Sequence, residues 1–71
     1  MSTYADLVAI INSLPLGTSV EITVSWCNQY GLTLTPSVAK EWGRRIHKEH
    51  TMLRLNYLGK SSNNLHHYEN L

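Results

Sequence analysis

The segment PSVAKEWGRRIHKEH, Pro36 to His50, separates into two faces when its residues are stepped 100° apart. Val38, Ala39, Trp42 and Ile46 fall together, with Lys40, Arg44, His47 and Lys48 opposite them. An apolar stripe backed by a basic one predicts a helix that packs on a core with its inner side. Thr35 supplies an N-cap, and Pro36 stands where its missing N–H costs nothing and its fixed φ suits a first turn. Gly43 in mid-helix costs about 1 kcal/mol relative to alanine, and close approach of another helix is the simplest reason for it.

Upstream, Ser2 or Thr3 caps a first helix, with Asp6 favouring the positive end of its dipole. Tyr4, Leu7, Val8, Ile11 and Leu14 recur at helical spacing, and Pro15 closes the run by disfavouring the α conformation at Leu14. After the turn LPLGT, Ser19 to Thr23 alternates polar and apolar, which predicts a short strand. A second helix runs from Val24 or Ser25 to Tyr30 and stops at Gly31. Beyond His50 the period changes: Leu53, Leu55 and Tyr57 alternate with Arg54 and Asn56. Gly59 to Asn64 is a cluster of turn formers, and Leu65 to Glu69 returns as a partner strand. Helix, strand, short helix, turn, helix and hairpin together predict an α+β fold of the winged helix-turn-helix type, in which the short strand pairs with the hairpin.

At 71 residues the chain is one domain, residues 1–71, near the size at which a single core can hold a fold without staples. No run approaches the roughly 18 apolar residues of a membrane span. Leu7 to Ile11 lacks the basic flank and cleavage pattern of a signal peptide. A single cysteine, Cys27, forms no internal disulfide and fits a reducing compartment, so a cytoplasmic protein is expected. Net charge is only +1, yet residues 1–39 contain no Lys or Arg and all six basic residues lie between Lys40 and Lys60. A focused patch creates a local field that the net charge hides.

SLPLGTSVEI, WGRRIHKE and YLGKSSNNLHHY resemble a family of small, mostly uncharacterised winged-helix-like proteins of bacteria and their phages. The likeness covers residues 13–68 and rests on Leu14, Pro15, Gly17 and Thr18, on Gly43, Arg44 and Arg45, and on Leu58, Gly59, Lys60, Ser62 and Asn63. The return strand Asn64-Leu65-His66-His67 and the weakly basic C-terminal end depart from that pattern. The resemblance implies a fold and a phage-like setting more than an activity.

A winged domain on DNA lays its third helix in the major groove and lets the hairpin touch the backbone or minor groove. On that reading Ser37, Lys40, Glu41 and Arg44 lie nearest the bases, while Arg45, Lys48 and Lys60 meet phosphate. Arg44 is the best match for guanine, since a guanidinium fork fits O6 and N7. Arg45 has the competing option of pairing with Glu41 or Glu49, each four residues away, and Lys60 that of a solvated turn residue. His47 and His50 are three apart on the helix, whereas His66 and His67 point to opposite faces of a strand. No CxxC or HExxH pattern is present, so neither a metal nor another cofactor is expected. Cys27 beside Trp26 reads as a buried inert thiol rather than a nucleophile, and both Trp26 and Trp42 read as core anchors. The expected partner is double-stranded DNA, bound by a regulator rather than an enzyme, with a homodimer the usual way to read two half-sites. The alternative is a phage-encoded protein-binding module that inhibits a host defence or transcription enzyme.

Overall fold

The computed structural model describes residues 2–71. Its elements are α1 (Tyr4–Ser13), β1 (Ser19–Val20), α2 (Val24–Gln29), α3 (Pro36–Glu49), β2 (Leu55–Lys60) and β3 (His66–Asn70). This is a small α+β chain whose three strands form one antiparallel sheet in the order β1-β3-β2. Among the described residues no helix is long and apolar enough to cross a membrane.

Each helix begins where a threonine satisfies a free backbone N–H. Thr3 accepts from the Asp6 N–H while the Asp6 carboxylate accepts from the Thr3 N–H at 2.8 Å, a reciprocal capping box. Thr23 accepts from Trp26 at 3.0 Å and Thr35 from Val38 at 3.3 Å. The first helix ends at Ser13, with Leu14 extended before Pro15. Its last carbonyls are met by Asn70 of β3, whose Nδ2 donates to Leu14 O at 2.7 Å and to Ile11 O at 3.4 Å. The buried Asn70 side chain therefore ties the end of the chain to the end of α1.

The core takes Leu7 and Ile11 from α1, Trp26 and Cys27 from α2, and Ala39, Trp42 and Ile46 from α3. Val20, Leu55 and Tyr68 come from the sheet. Both tryptophans are buried, and the Trp26 indole N–H donates to Ser19 O at 3.1 Å, joining α2 to β1. Cys27 is fully buried, and burial pushes its thiol up from the ordinary range.

Four expectations are corrected. The first strand is Ser19–Val20 and stops short of Thr23, because Thr23 turns back on Glu21 O and is committed to capping α2. The second strand begins at Leu55, not Leu53, since the chain leaves α3 through turns that bond Leu53 to Glu49 O and Leu55 to His50 O. The return strand runs from His66 to Asn70, displaced by one residue from Leu65 to Glu69. No helix approaches Gly43: a Cβ there would meet only Ile22, at an ordinary 3.9 Å.

The hairpin contains the one irregularity that matters for the surface. Tyr57 pairs with Tyr68, but Lys60 pairs with His66 and Gly59 with His67, so Leu58 is the extra residue of a bulge. Paired residues share a face, and His66 and Tyr68 share one by alternation. The bulge thus puts Tyr57 and Lys60 on the same side of the sheet, the side of His66 and Tyr68. Gly59 beside it has φ +107°, a conformation that glycine reaches without a Cβ penalty.

Candidate functional site

A groove of about 460 Å³ separates the outer side of α3 from the hairpin. Its helix wall carries Lys40, Arg44 and Lys48, spaced four residues apart and so aligned in a row. Its hairpin wall carries Lys60 and His66, with Asn64 and Leu65 of the connecting turn. His47, Ile22, Ala39, Gly43 and Tyr68 complete the lining, the aliphatic ones making part of it apolar. No carboxylate among the described residues lines the groove. Among the described residues, none of Lys40, Arg44, Lys48 and Lys60 is in an ion pair, the single pair being Arg45–Glu49 at 3.1 Å. A concave surface with four cations and no acid concentrates positive potential.

The candidate residues divide accordingly. The structure brings Lys40, Arg44, Lys48 and Lys60 together on one groove. Ser37 is exposed in the first turn of α3, outside the groove lining, with its hydroxyl 3.2 Å from that of Thr35. Arg45 belongs to a different contact. Its guanidinium lies 3.9 Å from the centre of the Tyr4 ring, its Nε donates to Glu49, and the Tyr4 hydroxyl donates to the same carboxylate at 3.2 Å. Burial, reinforced by the Glu49 hydrogen bond and charge, pushes the Tyr4 hydroxyl up to about 12 against the lowering effect of Arg45. Arg45 therefore fastens α1 to α3, and Arg44 beside it is the arginine turned to the groove.

A cluster of rings stands where α3 meets the hairpin. His47 of α3 and His66 of β3 stack face to face, with centroids 4.0 Å apart and planes 6° from parallel. His47 Nδ1 is 3.0 Å from the Tyr68 hydroxyl, and His66 Nδ1 is 2.8 Å from the Tyr57 hydroxyl. His50 lies beside His47 with centroids 5.6 Å apart, its Nδ1 3.4 Å from Leu55 O. Burial, followed by the charges of His47, Lys60 and His50, holds His66 below the ordinary histidine range. Burial likewise pushes the Tyr68 hydroxyl up to about 12, with the Tyr57 hydroxyl as a further cause. Among the described residues no group of three or more histidine, cysteine or acidic side chains could hold a metal ion. Stacking turns the ring faces of His47 and His66 toward each other, and ring nitrogens of both are engaged by tyrosines.

The stack was not readable from spacing. His47 with His50, and His66 against His67, follow from helical and strand periodicity, and His66 does share a face with Tyr68. That this face meets His47 depends on how the hairpin lies against α3, for which the sequence contains no local signal.

Comparison with protein-family models, with curated proteins and with solved structures returns no match to this chain.

Proposed function

We propose that the chain is a winged helix-turn-helix module that binds double-stranded DNA, with α3 as the recognition helix and the hairpin of β2 and β3 as the wing. The observation that carries the reading is the convergence of Lys40, Arg44, Lys48 and Lys60, from two elements, on a groove without a carboxylate. Cations without partners in their own chain are free to replace the counterions of a phosphate backbone. Arg44 offers a guanidinium fork to a guanine edge, and Ser37 and Lys40 lie on the helix end that enters the major groove. Lys48 and Lys60 span the groove to phosphates. Arg45 is left out of the contact set, since Glu49 and Tyr4 occupy it.

The resemblance to small bacterial and phage winged-helix proteins adds a phage or prophage regulator as the setting, and a homodimer as the way for so small a domain to read two half-sites. One observation favours a second reading. Ile22, Ala39 and Leu65 give the groove an apolar lining that phosphate does not require, which suits a protein partner presenting an apolar side chain among acidic ones.

Fluorescence anisotropy with a random-sequence duplex at low and moderate salt tests the first reading. Binding at low salt that weakens steeply as salt rises is expected, and Arg44→Ala with Lys48→Ala removes it. Absence of binding at low salt refutes the DNA reading and leaves the acidic protein surface.

A further inference from the structure

We propose that His66 is a proton site of the groove, its protonated form favoured when a duplex occupies it, so that DNA binding is coupled to proton uptake and tightens as the solution becomes more acidic. The inference rests on the DNA reading given above and adds a regulation that the row of lysines and arginine alone does not contain.

The geometry assigns the site in three steps. His66 lies in the groove lining, so a phosphate held by Lys60 and Lys48 comes close to its ring. The groups around it come from every element of that wall. His47 and His50 face it from α3, with Arg44 and Lys48 farther along the groove; Tyr57 and Lys60 face it from β2, and Tyr68 from its own strand. Glu69 lies on the other face of the sheet, where Asn56 donates to it at 3.0 Å, and Glu49 is turned to Arg45 and Tyr4. With cationic or titratable nitrogens near it and no carboxylate among the described residues of the groove, the protonated form of His66 is disfavoured in the free protein. A polyanion entering the groove reverses that local field and favours the protonated ring.

Hydrogen bonding selects His66 over its stacking partner. When neutral, His66 Nδ1 accepts from the Tyr57 hydroxyl; when protonated, it donates to the same oxygen, and the exposed Tyr57 turns its own proton to water. The same reversal at His47 leaves the proton of the buried Tyr68 hydroxyl without that acceptor. Stacking then sets the stoichiometry. The parallel ring of His47 at 4.0 Å opposes a second positive charge beside it, so His66 is a one-proton site.

The sign follows from linkage. A histidine held below its unfolded value withdraws stability as pH falls below about 6.5, because the unfolded chain takes the proton first. Binding runs the opposite way: between the free and bound pKa values, log Kd falls by up to about one for each pH unit of acidification. Free protein is thus weakened by mild acid while its complex is tightened.

Anisotropy titrations with the random-sequence duplex from pH 8 to 5.5, at constant ionic strength, test this together with calorimetry at pH 6.5 in two buffers of different ionisation heat. Expected are a Kd that falls about three- to tenfold over that range and, in keeping with it, uptake of about 0.3–0.5 proton. His66→Asn, which keeps an acceptor for Tyr57, flattens the profile while binding at pH 8 persists; His67→Asn, on the opposite face, leaves it unchanged. Binding without pH dependence, or without proton uptake by the wild type, overturns the proton site and leaves the DNA reading standing. Failure to bind the duplex at any pH overturns both.

Discussion

Removing single cations should change the salt dependence of DNA binding according to where each side chain lies. Four groove cations that each displace about one counterion from the duplex, Lys48 and Lys60 at phosphates and Lys40 and Arg44 beside the bases, give a slope of log K against log salt of about −3.6, or roughly a 150-fold loss of affinity between 50 and 200 mM salt. Lys60→Ala reduces the slope to about −2.7 and the loss to roughly 40-fold, because one counterion fewer is released. Arg45→Ala, adjacent to Arg44 in sequence, leaves the slope at about −3.6, since its guanidinium lies over Tyr4 and against Glu49. Its effect appears in stability instead. An exposed pair and one ring contact together amount to about 1 kcal/mol, discounted for the solvent around a side chain that is 57% exposed. Anisotropy at four or five salt concentrations measures the slopes, and urea unfolding measures the stability. Equal slope changes for Arg45→Ala and Lys60→Ala would refute the assignment of the groove, as would a wild-type slope shallower than about −2.

Two further outcomes concern the scaffold. Asn70→Ala leaves the carbonyls of Leu14 and Ile11 without their side-chain donor and opens a small void, costing about 1.5–3 kcal/mol; a midpoint shift in urea worth under about 0.5 kcal/mol would sink the argument. Two glycines should respond in opposite directions. Gly43→Ala, with space for a methyl and ordinary helical geometry, raises stability by up to about 1 kcal/mol, whereas Gly59→Ala, forced to φ +107°, lowers it by about 1–2 kcal/mol. The same change in both variants would remove the basis for treating Gly59 as the residue that lets the bulge form.

Much of the scaffold is local and therefore readable. Thr35-Pro36 starts a helix whatever surrounds it, Thr3 and Asp6 close a capping box within one turn, and Pro15 ends the helix before it. The pairing of Arg45 with Glu49 is also local, one helical turn apart, although nothing in the spacing chose Glu49 over Glu41. Tyr4 made that choice: its hydroxyl reaches Glu49 and its ring lies under the guanidinium, a contact between residues distant in the chain. The length of β1 departs from the alternating pattern because Thr23 is eligible both to continue a strand and to cap a helix, and it caps α2.

What the chain determines by itself is the identity and order of its elements and the basic row on α3, because caps, turn residues and hydrophobic period act over a few residues. The composition of the groove was decided only in three dimensions. The sequence places Lys60 among the turn formers Gly59 to Asn64, whereas it is the last residue of β2, where alternation carried on from Tyr57 would turn it away from α3. The bulge at Leu58 reverses that assignment by adding one residue to β2 but none to β3, so Lys60 comes opposite His66 and joins Lys40, Arg44 and Lys48. A side-chain period of two makes a single unpaired residue sufficient to move every later side chain to the other face. The same register, laid against α3, stacks His66 on His47 and so places a titratable ring among the cations.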